Sequence, residues 1–130
     1  MSYLFDTTVV IDWSLARPGI QAVVEACMAE TDLLYTCDVV TSEALSGGSD
    51  AERVIVKHFL DALEFVALDP DGAAEAGELR RRAGRTSGRS LGHVLIAALA
   101  LRLGATIVTR NEADYTGLGV AVLSYGASAT

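Results

Sequence analysis

The sequence predicts an α/β fold built on a mostly parallel sheet. Short apolar runs of strand length alternate along the chain with longer stretches of helical period, and parallel neighbours in a sheet need crossover connections of that kind. The chain has 130 residues, 51% of them hydrophobic and only two of them proline. It therefore reads as one compact domain over residues 1–130, large enough to bury a single core without disulfides or metals.

The first strand candidate is "SYLF", residues 2–5, which ends at Asp6 beside the start of a helix. Residues 20–30 set Ile20, Val23, Val24, Cys27 and Met28 on one helical face. Asp38 is placed to cap a short helix that carries Glu43 and is terminated by Gly47 and Gly48. A helix over residues 50–64 turns Val54, Ile55, Phe59, Leu60 and Leu63 one way. "FVALD" (65–69) is the second strand candidate, and Pro70 stands where the next helix, continuing over 71–83, can begin. The last helix runs over 91–103. Gly104 separates it from a third strand, "TIVT" (106–109), and "VAVLS" (120–124) is the fourth.

Charge and composition narrow the function. A net charge of −7 argues against a general nucleic-acid binder, because affinity for phosphates comes from Lys and Arg. Five of the ten basic residues, Arg80, Arg81, Arg82, Arg85 and Arg89, nevertheless fall within ten residues that hold no carboxylate. Two readings stand: a solvated helix end whose arginines suit the negative pole of the dipole, or a local edge that contacts phosphates along a substrate's path. No stretch reaches the ~20 apolar residues of a membrane helix, and the start has no basic, then apolar, leader. A cytoplasmic protein is expected. Cys27 and Cys37 lack metal or redox spacing and read as reduced core or half-buried residues.

In parallel α/β folds ligands collect beyond the carboxyl ends of the strands. That rule singles out Asp6 after the first strand and the segment Thr109 to Asp114 after the third. An aspartate there also serves as a helix cap, and Glu43 alone could be a solvated helix residue. Asp12 reads equally as a supporting acid or a surface residue, Trp13 as a packing anchor and His58 as a half-exposed helix residue. A phosphoacceptor receiver domain would also carry an aspartate after a strand, but it needs a lysine at a late strand end. The one lysine, Lys57, lies in a helical stretch.

"YLFDTTVVID", "SEALSGG" and "LGHVLIAALALRLGATIVTRNEADY" together resemble the PIN domain, and within it the VapC-type toxins of bacterial toxin–antitoxin pairs, over roughly residues 3–124. The resemblance implies a three-layer α/β/α fold and a Mg²⁺- or Mn²⁺-dependent endoribonuclease held inactive by a cognate antitoxin, with homodimers common. It implies a catalytic set of Asp6, Glu43 and Asp114, with Asn111 a further metal ligand and Thr8 and Thr109 in support. An antitoxin would cover an apolar groove, for which helices 20–30 and 50–64 are candidate linings; the same helices read equally well as core.

One position departs from the pattern. Where the family usually has Asp three residues before "IA", this chain has His93. Cleaving a phosphodiester needs an activated water and stabilised charge on the phosphoryl oxygens, which Mg²⁺ held by carboxylates supplies. Imidazole removes a negative charge and offers a softer nitrogen that suits transition ions better than Mg²⁺. Three readings follow. His93 is a ligand that shifts metal preference, or a passenger beside a weakened site, or the mark of a silent PIN module that binds protein without cutting RNA.

Overall fold

The computed structural model describes residues 1–126, and Arg89 by its backbone alone. Five parallel strands form one sheet: β1 (Tyr3–Phe5), β2 (Leu34–Cys37), β3 (Glu64–Val66), β4 (Thr106–Thr109) and β5 (Val122–Ser124), in the spatial order β3-β2-β1-β4-β5. Between them run α1 (Thr7–Ser14), α2 (Ile20–Glu30), α3 (Asp38–Leu45), α4 (Asp50–Asp61), α5 (Pro70–Arg82) and α6 (Leu91–Leu103). Short 3₁₀ turns cover Gly88–Ser90 and Glu112–Tyr115. Parallel pairing throughout obliges each connection to cross over, so the helices cover the sheet's faces and every strand ends toward the same rim.

β1 lies at the centre with β2 and β4 hydrogen-bonded on either side. Its three residues are all buried, Leu4 and Phe5 completely, as a central strand covered on both faces requires. The last helix, α6, is apolar nearly all round: Val94, Ile96, Ala97, Ala98, Leu99 and Ala100 are all buried. It packs against α5, with Gly72 the point of closest approach; a Cβ there would stand 2.8 Å from the Leu68 side chain and 3.0 Å from that of Arg102. Gly104 ends α6 in the left-handed region at φ 65°, which favours glycine, and lets the chain turn into β4.

The structure corrects several expectations. β2 was absent from the four predicted strands. "LYTC" is short and carries no alternating pattern of its own, and it becomes a strand by pairing with β1 on one side and β3 on the other. The helix predicted over 50–64 stops at Asp61, and Glu64 starts β3, which ends at Val66 rather than residue 69. Cys37, not Asp38, occupies the cap position of α3; the Asp38 carboxylate instead accepts its neighbour's N–H, Val39, at 3.0 Å. Asp69 caps α5 through the Gly72 N–H at 2.7 Å, with Pro70 at the first turn as expected. Cys27 and Cys37 are free and buried. Met28, Val54 and Ile55 belong to predicted core faces yet are exposed.

No helix among the described residues is long and apolar enough to cross a membrane. Leu4 is wholly buried in the central strand, so Leu4→Ala should lower stability by about 3 kcal/mol. Urea denaturation of both proteins checks it, with a loss under about 1 kcal/mol counting against β1 as the centre of the core.

Candidate active site

β1 delivers Asp6 to the rim of the sheet while keeping it on the strand ladder, its N–H bonded to the Val108 carbonyl at 3.1 Å. The residue then caps α1: Oδ1 accepts the Thr8 N–H at 3.0 Å and the Thr8 hydroxyl at 2.5 Å, and Oδ2 accepts the Tyr115 hydroxyl at 3.0 Å. Asp6 is therefore a helix cap that also stands at the carboxyl rim of the sheet. It is 3% exposed and, among the described residues, has no cationic partner. Burial raises its pKa above the ordinary carboxylate value, and the hydroxyls of Thr109, Thr8 and Tyr115 pull partly the other way.

Thr8 ties the two halves of the rim together. Its hydroxyl oxygen accepts the Arg110 N–H at 3.0 Å and lies 3.5 Å from the Thr109 hydroxyl, which accepts the Asn111 N–H at 3.0 Å. The hydroxyls of Thr8 and Thr109 thus lie between the Asp6 carboxylate and the turn after β4. The Asn111 side chain is exposed and makes no hydrogen bond among the described residues.

Glu43 reaches the rim from α3, where its Oε1 accepts the Thr7 hydroxyl at 2.7 Å. Across from it lies the first turn of α6. A Cβ on Gly92 would stand 3.1 Å from Glu43 Oε2, so the missing side chain gives that carboxylate its room. His93 follows directly, with Nε2 3.4 Å from Asp114 Oδ2 and its ring edge-on to Tyr115 at 5.6 Å between centroids. Tyr115 closes the circuit back to Asp6, and its hydroxyl is driven to higher pKa by burial and by the Asp6 charge. Asp6, His93 and Asp114 are thus joined through Tyr115, and Glu43 approaches them from the side of Thr7 and Gly92, so that four separate parts of the chain meet at this rim.

Thr7 and Tyr115 were not singled out from the sequence. The signal available for Tyr115 was its position directly after Asp114, at the end of the quoted "TRNEADY"; nothing local distinguishes Thr7 from Thr8. The five-arginine cluster behaves unevenly. Arg80 donates to the carbonyls of Arg85, Thr86 and Ser87, and Arg85 donates to those of Asp114 at 2.5 Å and Thr116 at 2.6 Å. Arg80 thus ties the loop after α5 back to that helix, and Arg85 ties the same loop to the Asp114 segment. Arg81 and Arg82 are exposed, Arg81 lying 3.8 Å from Glu78, and the Arg89 side chain lies outside the described residues.

The residues can be tested against a metal directly. Among the described residues no three His, Cys, Asp or Glu side chains converge closely enough to enclose an ion. In kind they suit one. Asp6 is a buried carboxylate without a counter-ion among the described residues, and Glu43 and Asp114 add hard oxygen donors on the same rim.

Comparison with known proteins agrees with this geometry. The PIN domain family model matches residues 3–115. The chain belongs to the PIN domain family. Ribonuclease VapC11 of Mycobacterium tuberculosis is 36% identical to this PIN domain over 119 residues, 86% of this chain and 87% of the relative, and VapC ribonuclease Mb1587 of Mycobacterium bovis matches to the same extent. Among solved structures, VapBC2 of Rickettsia felis bound to a promoter DNA fragment superposes with a TM-score of 0.79 at 20% identity, covering 97% of this chain and all of that one. DNA-bound VapBC of Salmonella typhimurium gives 0.78 at 22%, covering 95% and 98%. The three-layer architecture and parallel sheet of this PIN domain are those the resemblance implied.

Burial of Asp6 has a consequence for stability. Because its folded-state pKa is raised, the folded chain holds a proton at pH values where the unfolded chain has released it. Stability from this group is present below the ordinary carboxylate pKa and is lost as pH rises through the folded value. Asp6→Asn should therefore melt a few degrees higher than the parent at pH 7, about the shift expected for 1 kcal/mol, and the gap should close near pH 3. Melting curves across pH check this; a gap that is absent at pH 7 or independent of pH would contradict it.

Proposed function

We propose that this PIN domain is a divalent-metal-dependent endoribonuclease of the toxin–antitoxin kind, acting in the cytoplasm on cellular RNA. The observation that carries the reading is the gathering of Asp6, Glu43, His93 and Asp114 from four parts of the chain at the rim of the sheet, in a chain whose relatives are named as VapC ribonucleases. Those names weigh against the silent module.

Asp6, Glu43 and Asp114 would hold Mg²⁺ or Mn²⁺, with His93 and Asn111 at the margins of the set. A bound divalent cation would supply charge stabilisation at the phosphoryl oxygens and a water of lowered pKa. The chain's own part is positioning. Thr8 and Tyr115 fix both oxygens of Asp6, Thr7 fixes one oxygen of Glu43, and the Arg85 clamp on the Asp114 and Thr116 carbonyls holds the last carboxylate's backbone in place. His93 Nε2 faces Asp114 Oδ2 at 3.4 Å, and an imidazole in that place leaves the pair less negative than two carboxylates would.

An antitoxin partner fits a second feature. Trp13, Met28, Val54, Ile55 and Phe59 line an apolar cavity of about 590 Å³ between α1, α2 and α4, with Trp13 stacked on Phe59 at 5.0 Å and His58 at the edge. The solved relatives of Rickettsia felis and Salmonella typhimurium are VapBC complexes. An apolar helix face of an antitoxin would cover the exposed Met28, Val54 and Ile55. A homodimer completes the proposal by resemblance to the family.

The deciding assay is cleavage of structured cellular RNA with Mg²⁺ or Mn²⁺ by the parent, Asp6→Ala and His93→Asp side by side. Asp6→Ala should lose cleavage. His93→Asp, by restoring an oxygen donor and a negative charge, should tighten Mg²⁺ binding in calorimetry and speed Mg²⁺-dependent single-turnover cleavage, each on the order of tenfold. No cleavage by either the parent or His93→Asp would refute the ribonuclease reading, and an unchanged Mg²⁺ affinity would refute the part assigned to His93.

A further inference from the structure

A second constellation lies one helical turn from the carboxylate ring and has no part in it. Asp12, on α1, is 1% exposed. Its Oδ2 accepts the Tyr125 hydroxyl at 2.9 Å and faces Arg110 Nε at 3.4 Å, while Oδ1 faces Arg17 Nε at 3.1 Å. The Arg17 N–H also bonds to the Asp12 carbonyl at 3.0 Å, which fixes the turn after α1. One arginine would neutralise this buried carboxylate. Here there are two, so the cluster carries an excess positive charge on a protein whose net charge is −7.

Where that excess charge faces decides its use. Both guanidiniums meet Asp12 through Nε, and among the described residues neither makes a hydrogen bond through its terminal amino groups. The side chains are 51% and 38% exposed while Asp12 is sealed off. Each arginine is thus gripped from within by one edge and presents its outer pair of donors to solvent. That pair is the part of guanidinium that matches two oxygens of a phosphate.

Position links the pair to the ring. The Arg110 N–H bonds to Thr8, which bonds to Asp6. Asp12 is four residues beyond Thr8 on the same face of α1, about 6 Å along the helix axis. Arg80 and Arg85, by contrast, are engaged by backbone carbonyls.

We propose that Arg110 and Arg17, oriented by buried Asp12, form a phosphate-binding fork that holds the backbone of single-stranded RNA next to the carboxylate ring. The inference rests on the ribonuclease reading for its choice of polyanion. It is a binding site that discriminates charge and backbone geometry, not base sequence.

The test is the affinity of a short single-stranded oligoribonucleotide, followed by fluorescence anisotropy between 50 and 300 mM salt, on an Asp6→Asn background that binds without cutting. Arg110→Met and Arg17→Met each leave Asp12 one arginine, so the pair stays charge-balanced; melting curves confirm folding, and if Arg110→Met does not fold, Arg17→Met decides. Each should weaken binding several-fold and reduce the slope of log affinity against log salt by about 0.7, the value for one single-strand phosphate contact. Arg110→Lys should recover most of the slope. Loss of slope supports the fork whether or not the parent cleaves RNA. Unchanged affinity and slope in folded variants overturns it even if the parent cleaves, and so does a parent that binds no oligoribonucleotide at 50 mM salt.

Discussion

A single buried carboxylate organises this molecule. Asp6 sits where the central strand ends and the first helix begins, and its two oxygens are the meeting point of β1, α1 and the Glu112–Tyr115 turn. Satisfying it by hydroxyls rather than by a cation keeps the charge in place without cancelling it. The fold bears that strain because the strand under Asp6 is wholly buried and hydrogen-bonded on both sides. A buried carboxylate held in this way leaves the fold less stable than it could be.

Parallel topology does the assembling. Since all five strands point the same way, residues just after β1, at the start of α6 and after β4 arrive at one rim, and α3 brings Glu43 to meet them. Glycine at position 92 lets α6 come close to Glu43, and the clamp of Arg85 fixes the segment carrying Asp114. Tyr115 joins the two sides of the hollow, touching Asp6 through its hydroxyl and His93 through its ring. In the same arrangement His93 faces Asp114 directly, so the position beside that carboxylate carries an imidazole and no second negative charge.

The two arginine groups show how little a count of charges says about use. Arg80 and Arg85, in the densest basic stretch of the chain, are turned inward to carbonyls. Arg17 and Arg110, ninety-three positions apart and inconspicuous in the sequence, converge on one buried aspartate with their outer donors free among the described residues. Likewise Met28, Val54 and Ile55 follow a core periodicity and yet border an open apolar cavity. Helical period reports that a face is apolar, and it cannot report what that face meets.

From the sequence alone came the alternation of elements, the parallel sheet, the boundaries of α2 and α6, the family resemblance and the acidic residues with His93 among them. These follow from local signals: apolar period, proline and glycine positions, and short motifs read in order. The strand "LYTC", the burial of Asp6 against Tyr115, the contact of Thr7 with Glu43, the inward turn of Arg85 and the convergence of Arg17 and Arg110 on Asp12 were decided only by tertiary structure. Each depends on a partner dozens of residues away, and whether a group is buried, satisfied or free is fixed by that partner and not by its neighbours in the chain.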